Sequence, residues 1–141
     1  MKDQRRHFGE LKLMAGNANP FLAQLIATEL GQGVESTQVD RFDDGEVKVD
    51  LDCVVRGTDV FVIQSICQSL HGPMQRPCRS FGFELPSESQ YCTYQSINDS
   101  LMELLVMIDA ARRASAGRIT AVVPYVAYAK QEKKKRAHEP I

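Results

Sequence analysis

Apolar and polar positions along the chain fall into six stretches, each with the period of one kind of element. Leu11, Leu13 and Met14 in LKLMAG predict a short strand that runs into a turn at Gly16. Leu22, Leu25, Ile26 and Leu30 then recur at helical spacing, so one helix face is expected to turn toward the core. Asn19 is placed to cap that helix, Pro20 suits its first position, and Gly31 or Gly33 ends it. Val47, Val49 and Leu51 alternate with Glu46, Lys48 and Asp50, the period of two of a half-buried strand. Asp44-Gly45 just before it reads as a two-residue type I′ turn, and so as a hairpin. DVFVIQS, residues 59–65, is an almost unbroken apolar run, as in a strand covered on both faces. Leu101, Leu104, Leu105, Ile108 and Ala111 line one face of a second helix, opened by a Ser100/Glu103 capping box and stopped at Gly117. A last buried strand is expected from Ile119 to Val123.

Strand, helix, hairpin, strand, helix, strand is the order of an α/β fold with a mainly parallel sheet. The pattern breaks from Ile66 to Ile97, where three prolines and three cysteines interrupt any period. An irregular surface insertion is the expectation there, because structureless stretches of that length are uncommon inside a compact domain. The tripeptide Gln-Ser-Ile stands at both of its edges, at Gln64 and at Gln95. Residues 1–10 read as an extension ahead of the first strand.

At 141 residues the chain has the length of one ordinary domain, and 25% charged with 43% hydrophobic residues is the balance of a globular protein. A net charge of −1 gives no global pointer to nucleic acid or to a membrane. No apolar run approaches a membrane span, and MKDQRRHFGE lacks the apolar centre of a signal peptide, so a cytoplasmic protein is expected. Cys53, Cys67, Cys78 and Cys92 form no close pair, which favours free thiols over zinc or disulfides. His7, His71 and His138 are scattered and make no metal or triad pattern.

Two segments carry candidate chemistry. The acidic stretch RFDDGEVKVDLD, residues 41–52, invites a calcium-loop reading. With Gly45 at position six, however, Phe42 falls at position three and Leu51 at position twelve, where oxygen ligands are required. The calcium reading fails, leaving an acidic hairpin tip with one large aromatic. The basic run Lys130, Lys133, Lys134, Lys135 and Arg136, broken by Glu132, admits three readings: a solvated charge run, a nucleic-acid patch, or a grip on phosphates past a strand's carboxyl end. Composition does not choose among them.

Five blocks, LKLMAGNANPFLAQLIATELG, RFDDGEVKVDL, VRGTDVFVIQS, NDSLMELLVMIDAARRASAGRITAVVPY and YAKQEKKKRAHEPI, together resemble the amino-terminal half of the ribose-phosphate pyrophosphokinase family. They keep the family's order and spacing over about two thirds of the chain. The resemblance implies a type I phosphoribosyltransferase-like α/β domain with a protruding β-hairpin, spanning residues 11–141, and a second such domain absent from this sequence. It implies transfer of the β,γ-diphosphate of ATP to the 1-hydroxyl of ribose 5-phosphate, with magnesium brought by ATP and AMP released, in hexamers. By the same resemblance Phe42 stacks on adenine in a neighbouring subunit's site, while Asp44 and Glu46 meet the purine edge. Lys130, Gln131 and Glu132 take the nucleotide-contacting positions, with lysine where the family has arginine. Arg56, Lys134 and Arg136 become candidates for a regulatory phosphate. The family's metal-binding, catalytic-loop and ribose-phosphate motifs lie downstream of Ile141, so no catalytic residue or metal ligand is assigned here. The resemblance therefore implies that this chain alone makes no product, and that ribose 5-phosphate binds only in a full-length enzyme. The alternative is a non-catalytic regulatory or structural subunit that associates with active relatives, which Lys130, Lys135 and His138 favour as departures from the family pattern. Homo- or hetero-oligomers with family subunits are implied in either case, without nucleic acid or membrane; a nucleic-acid module built on KKKR ranks last.

Overall fold

A computed structural model of the protein describes residues 9–70, 94–134 and 136–138. Its elements in chain order are β1 (Leu11–Ala15), α1 (Pro20–Glu29), β2 (Thr37–Arg41), β3 (Val47–Leu51), β4 (Asp59–Ile63), β5 (Ser69–Leu70), β6 (Tyr94–Gln95), α2 (Ile97–Arg113) and β7 (Arg118–Val122). β1, β4 and β7 form a parallel sheet in the order β1-β4-β7, in register Leu11 to Asp59 and Asp59 to Arg118. β2 and β3 make the antiparallel hairpin, and β5 pairs with β6. The fold is α/β, as the hydrophobic pattern implied.

Alternation along the central strand sorts the core into two layers. Val60 and Val62 of β4 face Leu104, Met107 and Ala111 of α2, with Val39, Val49 and Leu51 of the hairpin packed against them. Ile63 and Phe61 face the other way and meet Ala23 and Ala27 of α1. The sheet thus lies between α1 on one face and α2 on the other, with the hairpin laid beside α2.

Several expectations need correction. α1 buries Ala23 and Ala27, both at 0% exposure, with Ile26 alongside, while Leu25 and Leu30 stand in solvent at 47% and 53%. Alanines four apart let the helix axis approach β1 closely, and Leu25, two residues past Ala23, points about 200° away around the helix. The helix stops at Gly31, where Gln32 N–H donates to Ala27 O and Gly31 N–H to Thr28 O, a closing pair of bonds that needs the positive φ of 62° found there. Asn19 caps its start as expected, accepting from Leu22 N–H.

α2 begins four residues before the expected capping box. Ser96 is the cap, and its partner is Asp99; Ser100 and Glu103 are inside the helix and buried. The helix ends through Ser115, at φ 65°, rather than at Gly117. Gly117 serves a close approach instead, since a Cβ there would lie 2.9 Å from Gly57 O. Leu105, expected inward, is 51% exposed, and Met107 takes the buried position. β7 is half covered rather than buried, because it lies at the edge of the described sheet. Of the expected insertion, residues 71–93 lie outside the described residues, whereas Ile66 at one end and Gln95 at the other are buried.

The hairpin turn also differs. Arg41 pairs with Val47, leaving five residues between the strands. Gly45 N–H donates to Phe42 O and Phe42 N–H to Glu46 O, each at 2.9 Å. Among the three residues enclosed, only Gly45 has a positive φ, 92°. This is a three-residue loop closed by a glycine bulge, in which Asp44 keeps a negative φ, and not a type I′ turn.

Candidate functional site

The carboxyl ends of β1 and β4 are occupied by polar side chains that the surrounding apolar sequence does not announce. Gln64 follows β4 and is 1% exposed; Glu103, on the second turn of α2, is 2% exposed. Gln64 Nε2 donates to Glu103 Oε2 at 2.9 Å and to Ser100 O at 3.3 Å, and its Oε1 accepts from Ala18 N–H at 3.1 Å. Gly16 is required beside it, since a Cβ there would fall 2.4 Å from Gln64 Oε1. Asn17 donates to Glu103 through its backbone N–H at 3.3 Å and its side chain at 3.4 Å, and the same amide donates to Val39 O at 2.8 Å. Two strand ends, α2 and the hairpin are therefore joined around one buried carboxylate. Such a charge is tolerated in the interior only because donors surround it.

Arg41 extends the cluster to the hairpin tip. Its guanidinium lies 3.3 Å from Asp99 and 3.8 Å from Glu103, and it donates to Gly45 O at 3.0 Å. The Asp99 carboxyl is held below its ordinary value, first by the Ser96 hydroxyl that donates to it at 2.7 Å, then by the Ser96 backbone N–H and Arg41. Its place in the first turn of α2 favours the charged form further.

Beyond this the tip is held by bonds within the loop. Glu46 N–H donates to Asp44 Oδ1 at 3.1 Å. Phe42 projects from it, 51% exposed.

The tail reaches the same helix end. Ile66 N–H donates to Tyr125 O at 2.8 Å, Ala127 is buried, and the Tyr128 hydroxyl bonds the side chain of Asn98. Past these anchors Lys130, Glu132, Lys133, Lys134, Arg136 and His138 are exposed and Gln131 is half-buried; Lys135 lies outside the described residues.

The structure thus gathers Phe42, Asp44 and Glu46 on one short loop and Lys130, Gln131 and Glu132 on one segment. Both segments are fastened to the first turn of α2, through Arg41 to Asp99 and Tyr128 to Asn98. Arg56 stands apart. It lies in the loop entering β4, bridged to Ala116 ahead of β7, at the sheet edge opposite the carboxyl ends. Asn17, Arg41, Gln64, Asp99 and Glu103 escaped the sequence reading. The available signal was Glu103 on an otherwise apolar helix face, between Ser100, Leu104 and Met107.

Among the described residues no group of three or more His, Cys, Asp or Glu side chains is placed to hold a metal ion. Nor is any helix among them long and apolar enough to cross a membrane.

Residues 11–141 match the family described as the N-terminal domain of ribose phosphate pyrophosphokinase. The chain is 41% identical over 135 residues to the ribose-phosphate pyrophosphokinase of Clostridium acetobutylicum, covering 96% of this chain and 34% of that protein. It is 46% identical over 128 residues to the enzyme of the same name from Vibrio parahaemolyticus, covering 91% and 32%. In structure it is similar to the phosphoribosylpyrophosphate synthetase of Mycobacterium smegmatis, with a TM-score of 0.68 and 39% identity over 93% of this chain and 35% of that one. The chain spans about a third of the length of the curated relatives it matches.

Proposed function

Because the chain belongs to the ribose-phosphate pyrophosphokinase family, over that family's amino-terminal domain, we propose that it supplies the nucleotide-binding half of a ribose-phosphate diphosphokinase. In this reading the hairpin tip is an adenine clamp extended toward a neighbouring subunit. Phe42 offers an aromatic face, and Asp44 and Glu46 offer acceptors for the purine's exocyclic amine. Lys130 places positive charge for the phosphates, with Gln131 and Glu132 beside it. Lysine replaces the bidentate fork of the family's arginine with a point charge, which loosens the geometry of that contact. Arg56, Lys134 and Arg136 remain proposed contacts for a regulatory phosphate. Transfer of the β,γ-diphosphate to ribose 5-phosphate, with magnesium carried by ATP, calls on the family's second domain, so these 141 residues alone are proposed to make no product.

The observation that supports the reading best is the half-exposed Phe42, set on the same short loop as Asp44 and Glu46, which two backbone bonds close. A large aromatic there leaves half its surface in solvent and is not among the side chains packed against either core cluster of the described residues.

Isothermal titration of the chain with magnesium ATP tests the proposal. Binding is expected, and Phe42→Ala is expected to weaken it by about tenfold or more while leaving the denaturation midpoint unchanged. Equal affinity in the variant would overturn the clamp. The departure at Lys130 favours a second reading, a non-catalytic subunit of a mixed oligomer; co-purification with an active relative, and no loss of that relative's activity on Lys130→Ala, would select it.

A further inference from the structure

We infer that Arg41 is the positioning residue of the hairpin tip: its guanidinium locks the turn carrying Phe42 to the first two turns of α2, and so sets where the aromatic ring is presented. The inference deepens the adenine-clamp reading and rests on it for the ligand involved. Its own evidence is geometric.

Three acceptors from three different places converge on this side chain. Nη1 lies 3.0 Å from Gly45 O in the turn itself and 3.3 Å from Asp99 Oδ1 in the first turn of α2, and Nη2 lies 3.8 Å from Glu103 Oε1 one turn further on. Two of these acceptors are in turn fixed. Asp99 is held by Ser96, and Glu103 by Gln64 and Asn17 at the carboxyl ends of β4 and β1. A continuous set of hydrogen bonds and ion pairs therefore leads from the parallel sheet to the residue that precedes Phe42. The tip itself has no apolar anchor: Phe42 is half exposed, Asp43, Asp44, Gly45 and Glu46 are exposed, and the hairpin residues packed into the core are Val39, Val49 and Leu51. Without the Arg41 side chain the last contact of β2 with the core would be Val39, and the tip would swing with the strand pair beyond it. Arginine suits the position because one planar fork serves a carbonyl and two carboxylates together, whereas an ammonium serves them one at a time. A partly exposed ion pair of this kind contributes little to global stability. Its effect is local, and it raises affinity by removing the entropy of ordering the tip on ligand.

Hydrogen exchange separates the inference from the clamp reading. In the full chain, Arg41→Gln is expected to speed exchange of the Phe42 and Gly45 amides about tenfold, with amides of β1 and β4 unchanged; Arg41→Lys is expected to fall between the two. The same variants should lose affinity for magnesium ATP while keeping their affinity for inorganic tripolyphosphate, with Arg41→Lys partly restored. Tip amides that exchange at the wild-type rate in Arg41→Gln overturn the inference, whatever ATP does. Faster tip exchange in a chain whose wild type binds no ATP leaves the positioning role standing and removes the clamp.

Discussion

The hairpin and the tail are both fastened to the beginning of α2, yet they are built on opposite principles. The hairpin arrives with its conformation made: Arg41 clasps its own turn, two backbone bonds close the loop, and Val39, Val49 and Leu51 tie its strands to the core. The tail is anchored by the Tyr125 carbonyl, the buried Ala127 and the Tyr128 bond to Asn98, and then presents a row of exposed charges. A flat, apolar purine demands a surface already in place, because stacking acts only over short distances. A polyphosphate is attracted from further away and accepts long, flexible cations. The contrast predicts that changes at the base of the hairpin act on folding, while changes in the tail act on ligand charge alone.

The largest effect should come from Glu103→Ala. That substitution removes the shorter of the two bonds from Gln64 Nε2 and the carboxylate shared by the two donors of Asn17, and leaves Arg41 with one carboxylate. The lost buried hydrogen bonds and the space left by the Glu103 side chain set the cost, about 3 kcal/mol in chemical denaturation. Glu103→Gln keeps an acceptor for Gln64 and should cost about half as much. If Glu103→Ala proves neutral, the hairpin is docked by its apolar residues alone.

That carboxylate also shows where sequence reading ran short. The alternation of Val47, Val49 and Leu51 identified the hairpin because a period of two is a local property. The turn was misjudged because Asp-Gly suits either a two-residue loop or a three-residue loop with a glycine bulge, and the pairing of Arg41 with Val47 decides between them. On α1 the spacing of the leucines was read correctly and the buried face was not, since close packing on the sheet selects alanine over leucine. Of the site, Phe42, Asp44 and Glu46 were legible as an odd acidic tip, and the tail as a charge run. The network beneath them was not. Glu103 meets Asn17 across 86 positions and Gln64 across 39, distances at which no local pattern carries information. Ser100 and Glu103, three apart, imitated a helix cap that Ser96 and Asp99 supply.

Asp99→Asn should have the next largest effect, and one that depends on pH. The Asp99 carboxyl in the folded chain lies below its ordinary 3.8, through Ser96 first and Arg41 after it. A depressed carboxylate contributes stability that is fully present above the unfolded value and disappears as pH falls through the folded one. Near neutral pH the variant should therefore lose about 1 kcal/mol from the weakened capping box and the lost attraction to the helix dipole and Arg41. Its deficit should hold constant down to about pH 5 and close below the ordinary carboxylate value. Denaturation of both proteins across that range checks the sign. A deficit that grows toward acid would mean that Asp99 is not the charged partner of the hairpin.

The smallest effect on folding belongs to the tail, and there the comparison can be made sharpest. Lys130, Lys133 and Lys134 are all exposed and follow the last buried anchor of the segment. Replacing all three with alanine should change stability by less than about 0.5 kcal/mol. Their proposed work is electrostatic, so the triple variant should bind magnesium ATP more weakly and with a flatter dependence on added salt, because the screened attraction has gone. Phe42→Ala should weaken binding while keeping the wild-type salt dependence, since stacking is not screened. Two variants with matching affinity losses, one with a flattened and one with an unchanged salt response, would separate a prearranged aromatic clamp from an exposed cationic grip. Parallel salt curves would show that tip and tail act on the ligand as one surface, and the division drawn between them would not stand.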